Sequence, residues 1–292
     1  MDHEQGARPA DPPVAASGSR RSRILGGDGG TRSLAIATAS TIVFFGAITA
    51  IIVTSPGWPE VKKAFFDPQI FAESFPEIAH AFLLNIRIFL IAEAVIVVFA
   101  LLIAVLRSLP GPVFFPVRIL AIAYTDLFRG VPTILVIFML GFGAPALQLS
   151  GVPNSPLFWG VTALVLVYSA YVAEVYRAGI ESVHPSQEAA ARSLGLTRGQ
   201  TLRYVIVPQA VRRVIPPLLN DFIGLQKDSA LVALIGPIEA FRQSQIDVAA
   251  TFNYTPYMAT ALLFILLTIP LARLTDWLIA RDRRRQSGGG GR

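Results

Sequence analysis

Cysteine is absent from the 292-residue chain, which excludes a disulfide framework, a thiolate metal site and a cysteine nucleophile. Histidine is almost absent. His3, His80 and His184 lie far apart in the sequence, and none falls in an HExxH-like spacing, so a zinc enzyme is not expected. No GxxxxGK[ST] run occurs, so the chain has no phosphate cradle for ATP. Charge is scarce, at 15% of residues, against about 25% in a usual soluble domain. With 53% of residues hydrophobic, one water-soluble core could not hide the apolar surface, and a bilayer is the solvent that accepts it.

What is present is a series of long apolar runs. Residues 1–33 are rich in Pro, Gly, Ser and Arg and read as a disordered tail. Residues 34–54 are apolar and uncharged, which suits a spanning helix of roughly 20 residues. Arg20, Arg21, Arg23 and Arg32 precede this run, so a signal peptide is the rival. The run is longer than an h-region and no A-x-A site follows, which favours an uncleaved anchor. Residues 55–79 read as a polar extracytoplasmic loop. Further spans are expected at 81–105, 131–147, 158–177, 214–235 and 256–279, and a basic tail at 283–292. The fold class is therefore an all-α membrane protein with six transmembrane helices.

The net charge of +6 could mark a nucleic-acid binder, but the arginines gather between the apolar runs and at the chain ends, as membrane topology requires. With the N-terminus cytoplasmic, the inside segments hold most of the arginines, while the outside loops hold only Lys62, Lys63 and Arg242. This asymmetry follows the positive-inside rule and places both termini in the cytoplasm. No nucleic-acid partner is expected.

Between the fourth and fifth runs, residues 178–213 are too polar for lipid and have the composition of two short helices. Ser186 is a candidate cap for the first, with Glu188 in its first turn, where a carboxylate suits the helix dipole. Gly195 is a left-handed stop. Thr197 and Gln200 have capping-box spacing for a second helix, expected to end before Pro208. Leu194, Leu202, Val205 and Ile206 supply an apolar side. A protruding helix-turn-helix with something to dock against is one reading; an ordinary cytoplasmic loop is the other.

This stretch resembles the EAA loop of ABC importer permeases, whose pattern is EAA, three residues, G, nine residues, I, one residue, LP. Ala190, Ala191, Gly195, Val205, Val207 and Pro208 match it in register. Ala189 stands where the pattern has glutamate, and Glu188 lies one residue earlier, about 100° away on a helix. The flanks AYVAEVYRAGI (170–180), FRGVP (128–132) and residues 205–236 resemble the polar amino acid uptake subfamily. The resemblance covers roughly 80–282, taken as the permease domain, and leaves the first apolar run as an added N-terminal helix. It implies a membrane-spanning permease subunit, not itself an enzyme, of an ATP-driven importer of amino acids. It also implies a second permease subunit, separate ATP-binding cassette ATPase subunits docked on the loop, and an extracytoplasmic substrate-binding protein. The chain would bind no cofactor, ATP being used by its partners, and would lie in the cell membrane.

Polar residues inside apolar runs are costly and normally face a cavity or a partner. Asn220, Gly224 and Lys227 share one helical face; Asp221, Leu225 and Asp228 share the adjacent one. They read either as a lining for an amino acid's carboxylate and ammonium or as charge pairs between helices. Glu93, on a face with Asn85 and Phe89, either lines the path or pairs with Arg87. Glu174 and Arg177 read as an intrahelical ion pair, and Arg129 as an interfacial anchor. Two other function classes stay open from the residues alone. An ion-coupled secondary transporter would use intramembrane carboxylates, but no internal repeat is seen and it gives no role to 178–213. A membrane-embedded enzyme would need converging catalytic groups, and Lys227, Asp228 and Ser229 are adjacent on a helix and point apart.

Overall fold

A computed structural model of the protein describes residues 30–148 and 150–288, with side chains from 33 to 281. The expected tail lies outside the described residues up to 29, as do residues 289–292 of the basic end. Among the described residues all regular structure is helical. The chain divides into two compact units, 1–61 and 62–292. In the first, α1 (Gly30–Val53) carries an unbroken apolar surface, with Ile42, Val43, Phe44 and Phe45 exposed. A short α2 (Trp58–Phe65) follows.

The second unit is built on α3 (Pro68–Arg107) and α6 (Pro156–Glu181). The expected loop at 55–79 is thus largely helical. Asp67 accepts from the backbone N–H of Gln69 and Ile70 at 2.9 and 3.2 Å, and Pro68 occupies the first helical position, where its missing N–H costs nothing. Polarity and proline, read as loop signals, are here a helix start. Next come α4 (Phe115–Gly130) and α5 (Thr133–Ala146), bent by 103°. The cause is Pro132, which drives Val131 to extended backbone (φ −95°, ψ 133°) and so ends α4.

Three short pieces come next: α7 (Pro185–Ser193), α8 (Arg198–Thr201) and a π-helical turn (Leu202–Ile206). These lead into α9 (Val207–Asp228) and a 3-10 turn (Ser229–Ile235). The chain ends with α10 (Ala240–Thr251) and α11 (Thr255–Gly288).

In a bilayer, helices gain little from hiding apolar surface, so close packing at small residues holds them together. The core does this around α6. Ile88, Ile96, Ile137, Leu164, Val167, Leu225 and Val232 are all at most 2% exposed. Ile235 fills a notch that only glycine permits: a Cβ on Gly141 of α5 would lie 2.5 Å from Ile235 Cδ1, and one on Gly160 of α6 would lie 2.8 Å from Val232 Cγ1. At the opposite end of α6, a Cβ on Gly179 would lie 2.0 Å from Val214 Cγ1, so α6 and α9 touch backbone to side chain.

Among the described residues, four helices are long and apolar enough to cross a membrane, or five if the bent pair α4–α5 counts as one. They include α1, α3, α6 and α11. The expected span at 214–235 is not among them. Asn220, Asp221, Lys227 and Asp228 lower its apolarity, and the helix tightens to a 3-10 turn from Ser229.

Candidate coupling loop and polar path

The polar segment between α6 and α9 folds as local chemistry dictates. His184, not Ser186, caps α7: its Nδ1 accepts from the Ser186 backbone N–H at 3.2 Å and pairs with the Ser186 hydroxyl at 2.8 Å, and Pro185 takes the first helical position. Glu188 sits in the first turn as expected. Gly195 has φ +84°. The Gly195 N–H reaches the Arg192 carbonyl at 3.0 Å and the Leu196 N–H reaches the Ala191 carbonyl at 3.2 Å. This is the Schellman closure of a helix on a left-handed glycine. Thr197 and Gln200 form the predicted capping box.

The second helix does not end before Pro208. Proline removes one N–H from the ladder, and the chain accommodates this with the π turn, in which the Val207 N–H bonds to the Leu202 carbonyl. The Gln209 side chain donates to the Val205 carbonyl at 3.0 Å and to Gln187 Oε1 at 3.4 Å, tying α9 to α7. Ala191 is buried, whereas Glu188, Ala189, Ala190, Leu194 and Tyr204 are exposed. Val207 and Pro208 are exposed and Val205 half-buried. The loop therefore exposes apolar side chains, among them Leu194 and Tyr204, together with Arg192, Arg198 and Arg203. Behind it lies a cavity of about 620 Å³, lined by Val105, Ile180, His184, Glu188, Arg198 and Thr201 among others.

The polar residues of α9 divide. Asp228 accepts from the Tyr168 hydroxyl at 2.9 Å, a contact between helices. Asp221 is half-buried on the side of α9 that faces Glu93 of α3, and one of its oxygens is buried without a hydrogen-bond partner. Glu93 makes no ion pair with Arg87 within the chain. The two are six residues apart on one helix and point in different directions. Asn220 and Lys227 are exposed, Lys227 beside an apolar cleft of about 470 Å³ with Phe241, Tyr257 and Thr268. The candidate path residues are thus not gathered at one point in a single chain.

One polar cluster was not read from sequence, and a second was read only in part. The Glu239 carboxylate, fully buried, accepts from Asn85 Nδ2 at 2.7 Å and from the N–H groups of Phe241 and Arg242 at 3.1 and 2.8 Å. Asn85 Oδ1 in turn accepts from the Ala240 N–H at 3.1 Å, and Asn85 Nδ2 also reaches the Ser229 hydroxyl at 3.3 Å. Burial pushes the Glu239 carboxyl up from its ordinary range, and these hydrogen bonds pull the other way. The second cluster surrounds Glu174. Arg177 pairs with it as expected, but Arg107 of α3 also donates to it at 2.8 Å. The signal for Glu239 was an acid immediately before an amphipathic run. No signal along the chain joins Arg107 to Glu174.

The sequence family described as binding-protein-dependent transport system inner membrane component matches residues 96–284. The chain belongs to this family. It is a membrane-spanning permease component of ATP-driven importers, and hydrolysis resides in separate subunits. The probable glutamine ABC transporter permease protein GlnM of Bacillus subtilis is 37% identical over 172 residues, 58% of this chain and 77% of that one. The probable amino-acid permease protein YxeN of the same organism is 33% identical over 213 residues, 72% and 93%. A solved amino acid ABC transporter with histidines superposes with TM-score 0.68 at 31% identity, covering 74% of this chain and 98% of that one. The MetNI methionine ABC transporter, inward facing, shares the fold at TM-score 0.55 and 17% identity. Family membership removes the secondary transporter and the membrane-embedded enzyme as readings of this inner membrane component.

Proposed function

We propose that this permease subunit carries amino acids. The observation behind this reading is the agreement of a solved amino acid ABC transporter with 74% of the chain at 31% identity, supported by relatives named for glutamine and amino acids. Two permease subunits, the same or homologous, enclose the path. An extracytoplasmic binding protein delivers substrate and ATP-binding cassette subunits drive the cycle, so the chain itself needs no cofactor. Six spans, α1, α3, α4–α5, α6, α9 with its 3-10 turn, and α11, put both termini in the cytoplasm of a multi-pass protein in the cell membrane. The arginine bias supports this orientation. The polar α9 is tolerated in the membrane because its exposed face, with Asn220 and Lys227, meets the path between subunits rather than lipid. Asp221 and Glu93 line its inner side.

The loop from Glu188 to Pro208 docks the ATPase subunits. Its exposed Ala189, Ala190 and Leu194 supply contact area, Ala191 anchors it to the bundle, and Gly195 sets the angle between α7 and α8. Gly195→Val tests the assignment. A β-branched residue resists φ of +84°, while no other atom lies within 4 Å of a Cβ there, so the effect stays in the backbone of the turn. The expected outcome is normal membrane abundance with loss of ATPase-subunit co-purification and of uptake. Wild-type co-purification would refute the docking role.

A further inference from the structure

Glu174 sits about two turns from the end of α6, where the chain leaves for the docking loop. Its carboxylate gathers groups from three helices. Arg107 Nη1, at the end of α3, donates to Oε2 at 2.8 Å and to the Thr125 hydroxyl of α4 at 3.0 Å. Arg129 Nη1, at the end of α4, lies 4.0 Å from the same oxygen. Arg177 Nε reaches both oxygens at 3.2 and 3.1 Å and extends the chain of charges to Glu181. Tyr171, one turn earlier on α6, donates to the Arg129 carbonyl at 3.3 Å and lies under its guanidinium. Arg129 immediately precedes Gly130 and the 103° bend between α4 and α5. On the other side, Gly179 is packed against Val214 and Arg213 bonds to the Ser182 carbonyl, so the end of α6 moves with α9.

We propose that Glu174 is a positioning residue of the transport cycle. Displacement of the docking loop reaches the ends of α3 and of the bent α4–α5 pair through its carboxylate. The proposal rests on the docking role of the Glu188–Pro208 loop. Three features favour transmission over simple bracing. The cluster joins elements that share no other ionic contact among the described residues. It adjoins the sharp bend between α4 and α5. Its side chains are 13–41% exposed apart from Glu181, so pairs can exchange partners at a cost far below that of a buried pair.

The test uses the complete transporter, permease with ATPase subunits and liganded binding protein, in proteoliposomes. Glu174→Gln should keep ATPase subunits bound and basal hydrolysis within about twofold, while binding-protein-stimulated hydrolysis and uptake fall by about tenfold, the scale of a lost charge-assisted contact. Glu174→Asp, which keeps the charge, should recover part of the stimulation. Arg129→Gln removes only the 4.0 Å leg and should give a smaller loss in a fully assembled complex. Wild-type stimulation in both Glu174→Gln and Arg129→Gln overturns the proposal. So does loss of stimulation together with loss of assembly in both, which would make the cluster a brace. Failure of the docking reading is visible separately, as ATPase subunits that stay bound in Gly195→Val.

Discussion

The two polar clusters on α3 hold its middle and its C-terminal end and are built differently. Asn85 and Arg107 are 22 residues apart, ~33 Å along the axis, about the thickness of a bilayer's hydrocarbon. At Asn85 a fully buried carboxylate is satisfied by neutral donors, two of them backbone N–H groups that fix the start of α10. At the Arg107 end a partly exposed carboxylate is shared among arginines. Backbone donors have one geometry, whereas several guanidinium groups offer alternatives of similar energy. The first arrangement suits a fixed joint and the second a joint that moves.

Breaking the fixed joint should have the largest effect on stability. Glu239→Ala leaves two backbone N–H groups at the start of α10 without acceptors and the Asn85 amide with only its 3.3 Å contact to Ser229, at about 1–3 kcal/mol for each unsatisfied group. The expected result is little or no folded permease by size exclusion in detergent, against near wild-type recovery of Glu174→Gln. Equal recovery of the two variants would erase the distinction. Gly179→Val probes the tie between α6 and α9 that bears on the movable joint. Overpacking against Val214 costs about 1–3 kcal/mol, and a thermal melt should show a clear fall with the fold retained. The smallest effect is expected at the docking loop itself. Thr197→Ala removes the capping box at a cost of about 1 kcal/mol. The melt should be unchanged and ATPase-subunit affinity modestly lower. An unaffected affinity would show that α8 needs no cap to dock.

What the sequence made legible was whatever depends on near neighbours in the chain. Gly195, Glu188 and the Thr197–Gln200 box came out as read, because a left-handed turn and a cap are decided within four residues. The apolar runs of α1, α3, α6 and α11 were legible because lipid demands them. Asp67–Pro68 was misread as loop because the same residues that break a helix from inside begin one from outside. The passage through Pro208 was missed because it relies on a π turn, in which the Val207 N–H bonds to the Leu202 carbonyl, that no residue pattern announces. For the candidate site, the Glu188–Pro208 loop was visible as a unit, but the sorting of Asn220 and Lys227 from Asp221 and Asp228 was not. That depends on where Tyr168 and Glu93 stand, 60 residues or more away in sequence.

The notch between Gly141 and Gly160 has a consequence for how the protein is made. Synthesis delivers α5 and α6 to the membrane well before the ribosome reaches Ile235, the residue that fills the gap between them. In the interval the docking loop and α9 must be threaded while two bare glycine surfaces wait unfilled. Ile235 is thus the last piece to enter the packing of α5 against α6. A chain truncated before it would leave every apolar run up to α6 in place with the notch between α5 and α6 unfilled.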